Sequence, residues 1–320
     1  MFITGAARTP LGKFQGGLAS TPATELGAIA IRSAVDRSGL TGDDIEYSVM
    51  GNMLSAGLGQ TPARQAAIGA DIPNSVSALT INKACASGMQ AVILAAQSIQ
   101  LGEASAVVAG GMENMSAAPH LLVNSRTGQR LGDTNLIDSM IHDGLWCPFE
   151  NRHMGGSAEA ISEKYGVTRE QQDEFSERSH RLASTASAEG SFNDEIAAVE
   201  VTGRRGSVII IDTDEGPRAD TNMDGLSALP TVFPPGLTVT PGNASSISDG
   251  AAAVVVTNAE MAGDSSSGPV SRITGYAHAA NKPGMLFDAP RIAVRNLLKK
   301  TGQSLEEFDL IEVNEAFAAQ

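Results

Sequence analysis

The period of apolar and polar positions changes repeatedly along the chain, and the changes predict strands that alternate with helices. Residues 76–84 are rich in β-forming residues, and residues 104–116 form a continuous apolar run typical of a buried strand. Between them, residues 87–100 are apolar almost all round, which predicts a helix buried on every side. Its apolar side chains include Met89, Val92, Ile93, Leu94 and Ile99. This alternation predicts an α/β fold with a mostly parallel sheet covered on both faces.

Two segments far apart in the chain share one pattern. Residues 30–52 align without a gap with residues 293–315. Each segment predicts an amphipathic helix that ends near a glycine, Gly39 or Gly302, followed by an acidic turn and a strand. The tripeptide ITG precedes both segments. The repeat predicts an internal duplication, with two halves related by pseudo-symmetry.

The middle of the chain differs in composition and predicts an inserted domain. Residues 116–245 are mostly polar and rich in turns, apart from one charged amphipathic helix. A strand pattern returns at residues 248–258. We therefore assign residues 1–115 and 246–268 to an N-terminal half, the intervening segment to a loop domain, and residues 269–320 to the start of a C-terminal half.

Composition and charge restrict the class of protein. The 320 residues carry a formal net charge of −14, whereas a general nucleic-acid binder needs a basic footprint. Two cysteines cannot form a disulfide framework, so a reducing compartment is expected. The N-terminus lacks the signature of a signal peptide, and no apolar run approaches the ~20 residues that a membrane span needs. We expect a cytoplasmic protein with neither nucleic-acid nor membrane partners.

Cys85 is a candidate nucleophile because of its position. It follows a predicted strand and precedes a predicted helix, and the backbone N–H groups and dipole of a helix start stabilise a thiolate. Small residues on both sides of it leave room for a substrate carbonyl. A buried small hydrophobic residue is the alternative interpretation. The second cysteine, Cys147, lies in a predicted loop beside nothing that would activate it.

Independent motifs follow one another along essentially the whole sequence. They are RTPLGKFQGGL, GNMLSAGLGQTPARQAA, TINKACASGMQA, GGMENMS, HMGGSAE, TVTPGNASSISDGAAAVVV and VNEAFAAQ. With these motifs in this order, the chain resembles the thiolases, and within them the acetyl-CoA acetyltransferases of the biosynthetic type. The resemblance implies duplicated α/β/α/β/α layers with an inserted loop domain that binds coenzyme A, and a second half that is incomplete here.

The resemblance also implies roles for individual residues. Cys85 matches the acyl-accepting nucleophile, and Asn314 matches the asparagine that holds a water in an oxyanion hole, a kind of donor worth ~10²–10³ in rate. The other matches are Met154, Met285 and Phe317 for the acetyl pocket, His153 and Ser245 for pantetheine, Leu145 and Phe233 for the walls of the cofactor site, and Arg218 for the adenine end. The resemblance implies no metal, and no cofactor apart from the coenzyme A thioester that serves as substrate.

One stretch inside the chain departs from the family's pattern. Residues 282–294, with the sequence KPGMLFDAPRIAV, stand where family members commonly carry a glycine-rich stretch. The bulkier side chains of Leu286, Phe287 and Asp288 follow Met285 directly. This departure puts the pocket wall near Met285 in question.

A second departure concerns the end of the sequence. Family chains continue into a histidine that serves as base for the nucleophile, and then into a second cysteine that removes the proton from the acetyl group. Neither motif is present among the 320 residues, and Gln320 aligns with Gly57 of the first copy of the repeat. We therefore expect a chain that is truncated at its C-terminus relative to the family.

The resemblance implies an enzyme of fatty acid metabolism. It would condense two molecules of acetyl-CoA to acetoacetyl-CoA and coenzyme A, reversibly, through an acetyl-Cys85 intermediate. Three alternatives stay open: a degradative thiolase for longer 3-ketoacyl-CoA chains, a decarboxylating condensing enzyme of related fold, and a catalytically incomplete fragment that only binds acyl-CoA.

The resemblance implies self-association as well. In the family, the strand equivalent to residues 77–84 pairs across a two-fold axis. The hairpin-like residues 121–135 would be available for a second contact between dimers. We expect a homodimer or a homotetramer.

Overall fold

The computed structural model describes residues 1–264 and 268–320. Residues 265–267, at the end of the predicted N-terminal half, lie outside the described residues. The chain divides into two compact units. The sheet unit consists of Met1–Gly144, Ser191–Gly216 and Ile247–Thr274, and the loop unit consists of Leu145–Gly190, Pro217–Ser246 and Gly275–Gln320. These contact-based units do not test the predicted halves or their boundaries, which stay a prediction.

The strands and helices are as follows. The strands are β1 (Phe2–Arg8), β2 (Gly12–Lys13), β3 (Tyr47–Gly51), β4 (Ser77–Ile81), β5 (Ala106–Asn114), β6 (His120–Leu121), β7 (Ile137–Asp138), β8 (Trp146–Cys147), β9 (Arg152–His153), β10 (Val199–Thr202), β11 (Val208–Ile211), β12 (Ser248–Thr257) and β13 (Ser271–Arg272). The helices are α1 (Ala23–Ser38), α2 (Pro62–Gly69), α3 (Ser87–Leu101), α4 (Met154–Tyr165), α5 (Arg169–Ala188), α6 (Met223–Ser227), α7 (Ala259–Asp264) and α8 (Ala289–Thr301). Short 3-10 turns include Gly42–Asp44, Pro283–Asp288 and Leu305–Glu307.

A seven-stranded sheet organises the sheet unit. Its order is β13-β1-β12-β5-β3-β4, with β2 paired to β12. Strand β3 is parallel to β4 and β5, as expected for strands joined by helices. Strand β12 lies between β1 and β5 and is antiparallel to both. The prediction of a mostly parallel sheet is therefore wrong: the sheet is mixed, because the strand that returns after the long insertion enters in the opposite direction.

Both faces of this sheet are covered. Side chains alternate between the two faces along a strand, so neighbouring residues of β3, β5 and β12 contribute to different cores. One core joins Met50, Val108 and Val255 to α1 and α2, through residues such as Leu26, Ile31 and Ala66. The other joins Val49, Val107 and Val256 to α3, through Ala91, Ala95 and Ile99. The sheet thus holds α3 against one of its faces.

Helix α3 is not buried on every side, contrary to the prediction. Met89 and Leu101 are 73% and 72% exposed. The small residues of α3 face the sheet, and some of its larger apolar side chains face outward. An apolar composition therefore does not by itself determine how much of a helix is buried.

By length and composition alone, the 18 residues Ala84–Leu101, with a mean hydropathy of 1.2, could cross a membrane, contrary to the expectation that no run approaches that length. This is weak evidence, because a core helix of a soluble protein satisfies the same criterion.

Both copies of the repeat form the predicted helix and the turn that follows it. Helices α1 and α8 are both followed by a glycine in the left-handed region, Gly39 with φ of 76° and Gly302 with φ of 74°. A capping box then begins each 3-10 turn, at Thr41 and at Ser304. The first copy continues into β3, but residues 308–314 form no strand, and Leu310 is 91% exposed. The strand predicted in the second copy is thus wrong for this structure, since a strand needs a paired neighbour and the described residues offer it none.

Candidate active site

Cys85 lies in the turn that joins β4 to α3, and its side chain is exposed. The Ser87 hydroxyl accepts the Lys83 N–H at 2.8 Å and donates to the Ala84 carbonyl at 2.6 Å. The Asn82 side-chain oxygen accepts the Ala84 N–H at 2.9 Å. Ala84 has φ of 49°, a conformation that costs a non-glycine residue ~1–3 kcal/mol unless its surroundings impose it. Side-chain hydrogen bonds therefore hold the nucleophile turn, residues 82–87, in a strained conformation.

The nucleophile turn packs directly on the end of β3. A Cβ atom at Gly51 would come within 2.6 Å of the Ser87 Cβ and 2.8 Å of its carbonyl carbon. Only glycine permits so close an approach. The start of α3, and with it Cys85, is thus placed by close contact with the last residue of β3.

His153 and Phe233, which the resemblance assigns to one region, are in contact in the loop unit. Their rings stack with centroids 4.7 Å apart and planes 15° apart. The His153 Nδ1 accepts the Gly155 N–H at 3.1 Å and caps α4, whose first residue is Met154. Burial lowers the pKa of the His153 imidazole below its usual value. The imidazole is therefore neutral near pH 7, with Nδ1 as the acceptor.

Ser245 and Phe317 are also brought together in the loop unit. The Ser245 N–H donates to the Ala316 carbonyl at 3.3 Å, and an antiparallel bridge joins Ala244 to Phe317. The Phe317 ring makes an edge contact with Phe287, with centroids 5.3 Å apart and an interplanar angle of 70°. Phe287 belongs to the stretch that departs from the family's pattern, so this departure packs on a residue predicted to line the acetyl pocket.

The stretch that departs from the family's pattern forms a firmly anchored 3-10 turn that contains Met285. Asp288 ends the turn and is almost fully buried. Its carboxylate accepts the Tyr165 hydroxyl at 2.8 Å and the Arg291 Nε at 2.7 Å. Hydrogen bonding by Arg291 lowers the pKa of the Asp288 carboxyl well below its usual range. The same turn is held at Gly284, whose carbonyl accepts the Arg152 guanidinium at 3.0 Å.

The remaining predicted residues lie outside these contacts. Asn314 is exposed, and its backbone carbonyl accepts the Ala316 N–H at 3.0 Å. Arg218 is exposed, and its backbone N–H donates to His180 Nδ1 at 3.2 Å. Burial, reinforced by the Arg218 charge, lowers the pKa of His180. Leu145 ends the π-helical turn Met140–Leu145 and is half-buried.

The predicted residues are divided between the two units. Cys85 belongs to the sheet unit, and all the others belong to the loop unit. Their roles stay predictions, because their placement alone does not test them. In residues 1–264 and 268–320, no group of three or more histidine, cysteine, aspartate or glutamate side chains is arranged to hold a metal ion.

Sequence reasoning missed two residues that support the nucleophile turn. Asn82 precedes a residue in the left-handed region by two positions, which is the pattern of an Asx turn. Ser87 begins α3 and bonds back to the turn that precedes it. Both patterns are readable in the string NKACAS, since asparagine and serine favour local side-chain to backbone hydrogen bonds.

Comparison with known proteins agrees with these features. The family model of the thiolase N-terminal domain matches residues 1–260, and that of the thiolase C-terminal domain matches residues 267–320. The acetyl-CoA acetyltransferase of Pseudomonas aeruginosa is 48% identical over 99% of this chain and 81% of its own length. The acetyl-CoA acetyltransferase of Cupriavidus necator is 47% identical with the same coverage. The chain belongs to the thiolase family.

A solved structure supports the same family. The crystal structure of the Bacillus anthracis acetyl-CoA acetyltransferase superposes with a TM-score of 0.96 at 39% sequence identity. The superposition covers 99% of this chain and 80% of that protein. The predicted thiolase-type α/β fold is thereby confirmed.

Proposed function

We propose that the chain is a thiolase-type acetyl-CoA C-acetyltransferase that joins two molecules of acetyl-CoA into acetoacetyl-CoA and coenzyme A. The observation that carries the proposal is its similarity, over 99% of the chain, to proteins named acetyl-CoA acetyltransferase. The exposed Cys85 thiol, directly before helix α3, supplies the nucleophile that such a transfer needs.

The first half-reaction transfers an acetyl group to Cys85. The Cys85 thiolate attacks the thioester carbonyl of acetyl-CoA, and a bond forms between its sulfur and the carbonyl carbon. The tetrahedral oxyanion then collapses, the bond to the coenzyme A sulfur breaks, and coenzyme A leaves after taking up a proton. Asn314, through a bound water, is our candidate for stabilising that oxyanion.

The second half-reaction forms the carbon–carbon bond. A proton leaves the methyl group of a second acetyl-CoA, and the resulting carbanion attacks the carbonyl carbon of acetyl-Cys85. The carbon–sulfur bond breaks, acetoacetyl-CoA is released, and the Cys85 thiolate is restored. The residues that the resemblance assigns to these proton transfers are not among residues 1–320, so the chain itself supplies the acyl acceptor and the substrate contacts.

Residues of the loop unit are our candidates for holding coenzyme A. The stacked pair His153 and Phe233 presents a flat surface with a neutral imidazole, which suits an uncharged pantetheine arm. Ser245 adds a hydroxyl beside the bridge to Phe317. The guanidinium of Arg218 suits phosphate or adenine recognition. We propose no metal and no cofactor other than the coenzyme A thioester substrate.

The function is tested by thiolysis of 3-ketoacyl-CoA substrates of increasing chain length. The assay compares residues 1–320 with the same residues followed by the C-terminal segment of the P. aeruginosa relative, and a Cys85→Ala variant of the longer protein is the control. We expect the longer protein to cleave acetoacetyl-CoA in preference to longer substrates, and the control to be inactive. A preference for long chains would indicate a degradative thiolase. Binding of acyl-CoA without any turnover by the longer protein would contradict the proposed transferase.

We also propose that the enzyme is a cytoplasmic homodimer or homotetramer. Strand β4 lies at the edge of the sheet, and the segment between β6 and β7 carries exposed apolar side chains such as Leu131 and Leu136. Unpaired strand edges and exposed apolar patches favour association. Both cysteines are free, in keeping with a reducing compartment. Sedimentation at micromolar concentration that showed only monomers would contradict the assembly.

A further inference from the structure

A half-buried carboxylate lies near the end of β5 and is hydrogen-bonded to the segment that follows β3. This carboxylate belongs to Glu113. Its Oε2 accepts the Met53 N–H at 2.8 Å. Its Oε1 accepts the Leu54 N–H at 3.2 Å and the Asn52 side-chain amide at 2.9 Å. The carboxylate thus fixes residues 52–54 through two backbone donors and one side-chain donor.

A continuous series of hydrogen bonds leads from this carboxylate to the residue before Cys85. The backbone N–H of Met53 donates to Glu113, and the backbone carbonyl of Met53 accepts the Asn82 side-chain amide at 3.3 Å. The Asn82 side-chain oxygen accepts the Ala84 N–H at 2.9 Å. Every link lies within the sheet unit.

The nucleophile turn needs such support because it is strained. Ala84 holds a left-handed conformation with φ of 49°, which persists only where the surroundings impose it. Contact between Ser87 and Gly51 fixes one side of the turn. The hydrogen bonds of the Asn82 side chain fix the other side, because they join the Ala84 N–H to the Met53 carbonyl. Burial raises the pKa of the Glu113 carboxyl, and the hydrogen bonds from Met53, Leu54 and Asn52 oppose that rise by stabilising the charged form.

We propose that Glu113 is a positioning residue for Cys85, which acts through Met53 and Asn82 to hold the nucleophile turn in its strained conformation. This inference rests on the proposed function for the role of Cys85 as acyl acceptor. Glu113 acts on the turn and takes no part in bond making.

The test uses the whole chain and compares Glu113→Gln, Asn82→Ala and the double variant. In Glu113→Gln, one of the two oxygens is replaced by an NH₂ group. That group cannot accept the hydrogen bonds that the carboxylate oxygens accept from Asn52, Met53 and Leu54, so at least one of them is lost. Asp249→Asn is the matched control, because Asp249 is a buried carboxylate of the same unit that accepts the Ser116 N–H at 2.9 Å and its hydroxyl at 2.6 Å. Two quantities are measured: amide hydrogen exchange in residues 82–88, and the rate at which iodoacetamide labels Cys85.

We expect exchange in residues 82–88 to rise by about ten- to a hundredfold in Glu113→Gln, the scale of one lost hydrogen bond to a charged group. Labelling of Cys85 should slow, because a thiol displaced from the helix start loses the field that favours its anion. Asn82→Ala should show the same changes, and the double variant should add nothing further, since both residues act through one series of contacts. In Asp249→Asn, both quantities should match those of the parent protein.

Three results would overturn the proposal: unchanged exchange in Glu113→Gln, an equal rise in the Asp249→Asn control, or additive effects in the double variant. If Glu113→Gln fails to fold, Asn82→Ala decides the question, because Asn82 is exposed and its loss leaves Glu113 in place. Unchanged amide exchange of residues 82–88 in Asn82→Ala would show that Asn82 does not connect Glu113 to the nucleophile turn. Neither measurement requires turnover, so a failure of the proposed transferase function is seen separately in the thiolysis assay.

Discussion

The imidazole of His153 lies flat on the ring of Phe233, with 4.7 Å between the ring centroids. The same imidazole caps α4 through the Gly155 N–H, so one side chain joins a helix start to the loop around Phe233. Protonation at Nδ1 would remove that acceptor. The stability of the loop unit therefore depends on a neutral imidazole.

Stability should fall as the pH falls through the ordinary histidine value of ~6.5 toward the lowered native pKa of His153. In that pH range the unfolded chain binds the proton more readily than the folded chain does. His180, whose pKa is also lowered, contributes in the same direction. Urea unfolding at several pH values measures the slope.

The control for this prediction is His153→Asn, whose Oδ1 can replace Nδ1 as the acceptor of the helix cap without titrating. We expect its unfolding free energy to vary less steeply with pH, and that of His153→Asn with His180→Asn to vary less steeply still. A single variant with the slope of the parent protein would show that His153 is not the group responsible.

Two adjacent glycines of α4 should respond very differently to alanine. A Cβ atom at Gly155 would come within 2.1 Å of the Phe233 ring, whereas one at Gly156 would first meet the Arg152 side chain at an ordinary 3.4 Å. Gly155→Ala should destabilise the protein by ~1–3 kcal/mol through overpacking. Gly156→Ala should be neutral or stabilising by ~0.5–1 kcal/mol, because alanine favours the helix. Equal effects in thermal unfolding would argue against the close packing of Phe233 on α4.

The strain at Ala84 predicts a stabilising substitution. Ala84→Gly removes a left-handed conformation that costs ~1–3 kcal/mol and adds ~0.5–1 kcal/mol of backbone entropy loss. We expect a net gain of about 1 kcal/mol in the unfolding free energy. Ala86→Gly is the control, since Ala86 has φ of −88° and no such strain to relieve. A loss of stability in both variants would contradict the strained turn.

The two cysteines should differ in reactivity. Cys85 is exposed, whereas Cys147 is only 5% exposed. Peptide mapping after brief treatment with iodoacetamide should find Cys85 labelled first, and both should be labelled alike in urea. Earlier labelling of Cys147 in the folded protein would count against Cys85 as the nucleophile.

Local and periodic features of the structure were predictable from the sequence. The position of Cys85 between a strand and a helix follows from the change of period on either side of it. The helix ends at Gly39 and Gly302 follow from glycine in the left-handed region. Motif order predicted the family, and with it the fold.

Features set by distant partners were not predictable in the same way. The direction of β12 depends on the path of the insertion, which hydrophobic period does not record. Exposure of Met89 and the absence of a strand at residues 308–314 depend on which neighbours are present. The hydrogen bonds from Glu113 to Ala84 connect three segments, and only their packing reveals them.

The central claim is that Cys85 accepts an acetyl group from acetyl-CoA, and mass spectrometry of the peptide that contains Cys85 tests it most directly. After exposure to acetyl-CoA, residues 1–320 should carry acetyl on Cys85. The same residues followed by the C-terminal segment of the P. aeruginosa relative should be acetylated quickly and should form acetoacetyl-CoA. If that longer protein forms acetoacetyl-CoA while Cys85 stays unmodified, or forms it when Cys85 is replaced by alanine, Cys85 is not the acyl acceptor.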